Sequence, residues 1–453
     1  MTSSADAPKR NLRRPLLLAL AAFGGAAFVL LQLREREMQA RLPAEATFVG
    51  RAACAQCHAA ESAAYADSHH DLAMQPATAA TVLGDFNGAT FTHYDVTSTF
   101  FRDGDTFVVR TDGRYGVMRD FPVRFVFGVT PLQQYLIDIG EGRLQSLTIA
   151  WDSRSREAGG QRWYHLYPDE RIPAGDELHW TGLQQNWNYM CAECHSTDLQ
   201  KGYDAEQDSY TTTWHELDVS CEACHGPGSN HLAWARDPAA HQDLGKAAGK
   251  GFPVAFDERK NVAWGRDPAT GNPVRSTPRT TQKELDTCAR CHARRTTFTD
   301  EVVPGRPLLD THLPALLTEG LYHANGLMQD EVYNYQSFLQ SRMHMHGVTC
   351  SDCHEPHSGK LRAPGNAVCT QCHDPRYERP EHHRHQPESA AAQCIACHMP
   401  TVTYMGVDPR HDHSFQIPRP DLTASTGAPN ACNNCHQDRD PAWATAAIQG
   451  WHG

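Results

Sequence analysis

Alternation of apolar and polar residues is concentrated in one part of this chain. Phe91–Val109 alternates around Asp103-Gly104-Asp105, a hairpin signal. Val117–Ile149 repeats the pattern, with Phe121, Val123, Phe125 and Phe127 predicted on one face and Gly140-Glu141-Gly142 as the next turn. Together they predict a small antiparallel β-unit over Gly84–Trp151. Helical periodicity is short everywhere else. Glu61–Met74 reads as a helix carrying small residues. Asp152–Gly182 reads as a loop rich in aromatic residues, including Trp163, Tyr164, Tyr167 and Trp180. From Asn186 onward, short helices and loops alternate, and Arg236–Thr280, rich in Gly, Pro, Lys and Asp, reads as a surface loop.

One apolar run is long. Pro15–Leu33 has Gln32 as its only strongly polar member, follows Lys9, Arg10, Arg13 and Arg14, and precedes charged Arg34–Glu37. Roughly 20 apolar residues span a bilayer as a helix, and a preceding basic cluster keeps the N-terminus cytoplasmic. A cleaved signal would have a shorter apolar core, and Met38-Gln39-Ala40 makes a poor cleavage site. The run therefore predicts an uncleaved anchor in the cytoplasmic membrane, with the bulk of the chain in the periplasm.

Composition changes the picture of the rest. Across 453 residues only 40% are apolar, with 28 prolines, 33 glycines and 27 histidines, so few segments can bury one another. Something besides side chains has to fill the interior. All sixteen cysteines fall in the pattern Cys-x-x-Cys-His. The eight copies pair Cys54 and Cys57 with His58, Cys191 and Cys194 with His195, Cys221 and Cys224 with His225, and Cys288 and Cys291 with His292. They continue with Cys350, Cys353 and His354; Cys369, Cys372 and His373; Cys394, Cys397 and His398; and Cys432, Cys435 and His436. The motif reads as c-type haem attachment: two thiols reach two vinyl groups on one porphyrin edge, and the following imidazole binds the iron. A disulfide framework or paired zinc sites would account for the thiols but leave eight histidines unexplained.

The predicted fold is mainly α with much irregular loop, organised around a stack of eight covalently bound haem c groups, with the β-unit inserted after the first. Residues 1–42 form the tail, anchor and spacer, 43–83 the first haem segment, 84–183 the β-rich insert and aromatic loop, and 184–453 a seven-haem region. Short connections between the last four motifs press their haems together. The net charge of −12 excludes a basic nucleic-acid face and suits charge-steered encounters with redox proteins.

Eight histidines close motifs and nineteen remain, enough to supply a second axial ligand to every iron. Candidates lie in groups: His69 and His70; His344 and His346; His382, His383 and His385; His411 and His413; and His231 and His357 singly. One member of each group is expected to ligate and its neighbour to be a bystander, and the candidate set is His70, His231, His346, His357, His383 and His413. His165, His179, His215, His312 and His323 stand further from motifs, while His93 and His452 read as structural or exposed.

Five segments carry a resemblance: Gly128–Tyr135 (GVTPLQQY), Gln185–His195 (QNWNYMCAECH), Val219–Gly228 (VSCEACHGPG), Asp408–Phe415 (DPRHDHSF) and Pro429–His436 (PNACNNCH). With these the chain resembles the cytochrome c family that includes the tetrahaem partner of hydroxylamine oxidoreductase. It is most similar to large multihaem cytochromes often joined to C-terminal tetratricopeptide repeats. The chain departs from those larger relatives at Gly453, where their repeats would begin. The resemblance implies a largely α-helical fold, mostly bis-histidine haems, and His70, His231, His357 and His413 as axial ligands. The expected function is electron transfer between a quinol or membrane oxidoreductase and a periplasmic acceptor. Two alternatives are a nitrite- or hydroxylamine-type oxidoreductase with one open iron, flanked by Arg294, Arg295, Tyr322 or His323, and a subunit of an extracellular cytochrome filament.

Overall fold

The computed structural model describes residues 46–453 and divides them into two compact units. The smaller contains residues 46–47 and Pro227–Pro253. Its helix Ser229–Arg236 is tied to Thr47, whose amide donates to Ser229 Oγ at 2.8 Å. Gly251, at φ +96°, is required there, because a Cβ would meet the His231 amide at 2.6 Å.

The larger unit, Phe48–Gly226 with Val254–Gly453, holds every motif and a nine-stranded antiparallel sheet. Its strands are β1 (Met74–Pro76), β2 (Ala89–His93), β3 (Val96–Asp103), β4 (Thr106–Asp112), β5 (Met118–Phe127), β6 (Leu132–Asp138), β7 (Leu144–Ser146), β8 (Ile149–Asp152) and β9 (Arg162–His165). The order runs β2-β3-β4-β5-β6-β8-β9, with β1 added to β5 and β7 to β6. The ends of that path meet: His93 of β2 and His165 of β9 stack with centroids 3.7 Å apart. The sheet is nearly closed, which removes most of its unpaired edges.

Both faces of the sheet are covered. One packs Phe86, Phe100, Tyr135, Trp151, Trp163 and Trp180 into an aromatic core, where Phe100 stacks on Trp163 at 3.6 Å. The other carries Met74, Phe127, Leu136 and Leu144 onto Trp187 and Ala192, beside the second motif. Strand β6 is therefore buried along nearly its whole length, alternate residues serving opposite faces. The four aromatic and aliphatic residues expected on one face of β5 are split between the two. A bulge between Val123 and Phe125 shifts the register, so Phe121 and Val123 join the aromatic core while Phe125 and Phe127 face the motifs.

These observations overturn the mainly α expectation. The described residues are 27% helical and 21% strand. Among the described residues the longest helix, Pro441–His452, has twelve residues, capped by Asp440 and started by a proline. The physical reason is the motif itself, which asks for one helical turn and leaves the intervening Pro- and Gly-rich chain to turn away. The expected helix over Glu61–Met74 likewise stops at Tyr65, and Asp67 takes a left-handed φ of 61° just beyond.

The localisation is corrected too. Among the described residues no helix is long and apolar enough to cross a membrane. Pro15–Leu33, which prompted the anchor, lies outside the described residues. Placement in the cytoplasmic membrane with a periplasmic bulk therefore has no structural support and is withdrawn.

Candidate haem centres

Helical turns build most of the motifs. Residues three and four apart share a helix face, so two cysteines and the following histidine point the same way from a single turn. Cys221–His225, Cys394–His398 and the end of Lys283–His292 show this arrangement. His58 instead sits between Arg51–Ala55 and Ala59–Tyr65 and lies 3.9 Å from Glu61. A buried carboxylate steadies the start of the first of these helices. Glu222, within the third motif, accepts from the amides of Val49 and Gly50 at 3.0 and 2.8 Å. All sixteen thiols are free of disulfides.

Thiols of different motifs meet. Cys54 is hydrogen-bonded to Cys221, Cys194 to Cys291, Cys288 to Cys350, and Cys369 to Cys394. Cys224 and Cys291, Cys353 and Cys372, and Cys397 and Cys432 lie within electrostatic reach of one another. In chain order the motifs thus connect as first to third to fourth, then fifth, sixth, seventh and eighth. The second joins as a branch at the fourth.

Histidine rings face each other across several motifs. His70 and His292 have centroids 6.3 Å apart, His225 and His357 6.5 Å, His382 and His398 6.3 Å, and His385 and His436 6.2 Å. Two metal–imidazole bonds of about 2 Å, plus about 1 Å from each nitrogen to its ring centre, sum to about 6 Å. The spacing fits an iron held between each pair. His354 and His413 lie within electrostatic reach, without a ring spacing of this kind. The hydrogen bonds suit ligation as well. Nδ1–H of His195 donates to Ala73 O at 2.9 Å, that of His398 to Gln416 O at 3.0 Å, and that of His413 to His411 O at 2.9 Å. Each bond fixes a tautomer whose Nε2 keeps its lone pair. Burial lowers the pKa of His195 and His413, and burial with three neighbouring histidines takes His292 to about 4. The imidazoles are thereby kept in the neutral, metal-binding form.

His70, His357 and His413 stand as described. His383 offers Nε2 to Glu378 O at 3.2 Å, while His382 and His385 face the motif histidines. His346 is exposed at the end of helix Arg342–Met345. His231 belongs to the smaller unit, stacked on Phe252 at 4.4 Å with Nδ1 at Lys250 O. Among the described residues, no histidine ring faces His195 or His373 at the paired spacing.

Two clusters near the second motif escaped the sequence. Glu193, between its cysteines, accepts from His312 Nε2 at 2.6 Å and Thr297 Oγ1 at 2.8 Å and pairs with Arg295 at 3.0 Å. Burial alone would raise its carboxyl, but His312 and Arg295 hold it down at about 2. The second cluster centres on Tyr333, in a left-handed conformation (φ 60°), within electrostatic reach of Cys191 and Cys194. Arg410 lies over the Tyr333 ring at 5.5 Å and is held by Glu331 and Asp408 at 2.8 and 2.7 Å. Of the groups proposed to flank an open iron, Tyr322 packs instead with Met328, Val332 and Tyr404.

Two stretches match known families: residues 344–377 the doubled CXXCH motif, and residues 162–226 cytochrome c554 and c-prime. The chain is a multihaem c-type cytochrome. Covalently bound haem c fits the unbridged thiols and the facing imidazoles described above. This cytochrome is similar in fold to a solved structure titled outer cell wall cytochrome OcwA, with a TM-score of 0.57 and 17% identity over 89% of this chain and 86% of that one. The undecahaem cytochrome from the S-layer of Carboxydothermus ferrireducens aligns over 90% of this chain and 60% of its own, at 16% identity and a TM-score of 0.44. No curated protein matches it.

Proposed function

We propose that this cytochrome is an electron-transfer protein carrying eight haems, most of them bis-histidine, that relays electrons between redox proteins. The observation that carries the reading is the unbroken series of neighbouring thiols. It links Cys54 to Cys221, Cys224 to Cys291, Cys288 to Cys350, Cys353 to Cys372, Cys369 to Cys394 and Cys397 to Cys432. Each thioether marks one edge of a porphyrin, so neighbouring thiols bring neighbouring cofactors within hopping range. The chain's own residues hold the imidazoles neutral and aim them through backbone carbonyls. The acidic surface suits a positively charged partner. The solved cytochrome of similar fold is titled an outer cell wall protein, which favours work outside the cytoplasm.

A second reading is favoured at one place. His195 has no histidine facing it among the described residues, and Tyr333, with Arg410 over its ring, lies within electrostatic reach of its cysteines. That combination suits an oxidoreductase with an open iron at the second motif.

Intact mass and haem staining of the exported protein, followed by potentiometric titration with electron paramagnetic resonance, test both. Eight haems with every iron low-spin support the carrier. One high-spin iron, lost on changing His195 rather than His292, supports the oxidoreductase. A mass short of most of the eight groups sinks both.

A further inference from the structure

The contact between Cys194 and Cys291 is where the branch leaves the main series, and a buried cation stands on it. Arg295 opens the short strand Arg295–Thr297, which pairs with His312–Pro314. Its side chain is only 13% exposed. Two of its nitrogens are committed: Nε–H donates to Arg290 O at 2.8 Å, and Nη2 pairs with Glu193 Oε2 at 3.0 Å. The same Nη2 also points at Cys194 Sγ, 3.4 Å away. Cys291 neighbours Cys194, and the guanidinium acts on both thiols.

Glu193 is clamped in turn by His312, whose side chain is fully buried and whose Nδ1 meets Thr311 Oγ1 at 2.7 Å. The hairpin thus fixes an ion pair whose cationic end reaches Cys194 Sγ. A carboxylate two residues before His195 would on its own favour the oxidised, more positive haem. The arginine reverses that bias.

We propose that Arg295, positioned by Glu193 and His312, raises the reduction potentials of the two haems bound at the second and fourth motifs, making the branch point the electron-accepting junction of the relay. The physical ground is elementary. A reduced haem carries one more negative charge than an oxidised one, and a cation fixed beside its thioether in a poorly solvated site stabilises that charge. This inference rests on the electron-transfer reading.

The test is potentiometry of the haem-loaded full chain resolved by electron paramagnetic resonance, for the native protein and the variants R295Q, R295K and E193Q. R295Q is expected to lower the reduction equilibrium constants of two haems by about tenfold, leaving the other components in place. R295K is expected to recover part of that loss, since it restores the charge without the fork. E193Q is expected to move the same two haems upward. Two results overturn the inference: potentials unmoved in R295Q, or all components shifted alike. If R295Q does not assemble, R295K decides: a downward shift confined to those two haems supports the proposal and no shift overturns it. A haem count below eight in the native protein would fail the relay reading itself. A full count with unmoved potentials fails only the role of Arg295.

Discussion

Acid should open the sheet where its two end strands meet. His93 and His165 stack with an interplanar angle of 7°, closing β2 against β9. Nδ1 of His165 lies 3.1 Å from both the amide nitrogen and the carbonyl oxygen of Tyr167. Burial, and then the neighbouring His93, take the His165 pKa down to about 4. In an opened strand the ring returns to about 6.5. The sign follows from which state binds the proton. Between pH 6.5 and about 4 the opened state is protonated and the closed state is not, so closure weakens as pH falls through that window. At pH 7 almost nothing is lost. At pH 5 the imbalance amounts to about 2 kcal/mol, or about a thirtyfold rise in opening. Hydrogen exchange reads this directly at the β9 amides, after correction for the intrinsic pH dependence of exchange. Protection should fall by about twentyfold between pH 7 and pH 5 and should be nearly level in H165Q. Equal losses in the native protein and H165Q, or no loss in either, would refute the argument.

Other outcomes follow from the same geometry. Phe100 is fully buried and stacked on Trp163, so F100A should destabilise the sheet by about 3–5 kcal/mol, seen as early loss of β3 and β4 protection in a denaturant series. H382A and H385A should each convert one low-spin iron to high-spin, while H383A, whose Nε2 already meets a carbonyl, should leave the spectrum unchanged. A high-spin signal from H383A alone would reverse the assignment within that trio.

The haem chemistry was legible because covalent attachment has a local code. Two thiols and an imidazole must share one turn, and a turn is specified by five consecutive residues. The sheet was half legible. Gly104 and the glycines around Glu141 mark real turns, with φ of 58° at Gly104 and 95° at Gly140, and alternation located the strands between them. Its size was not, because β1 and β9 are three and four residues long and belong to the sheet only through partners far along the chain. The largest fold error came from counting helices as the default around haems. Each motif consumes one turn, so many motifs add little helix, and the sheet then supplies much of the regular structure.

Choosing the second ligand was beyond local reasoning for a more specific reason. In Glu381-His382-His383-Arg384-His385 the three imidazoles are chemically alike, and their neighbours give no preference. What separates them is a helix end. His383 is the last residue of Pro380–His383, and Arg384 then takes a left-handed φ of 60°, after which the His385 amide donates to His383 Nδ1 at 3.2 Å. His382 is left facing His398 and His385 facing His436, while His383 turns back onto Glu378 O. One residue with positive φ thus brings two imidazoles to two different motifs. Arg295 makes the same point for charge. In sequence it is one of two adjacent arginines, and only the pairing of its strand with His312–Pro314 brings Glu193, His312 and Cys194 to its side chain. The motif dictates where a haem is bound; long-range pairing dictates what that haem feels.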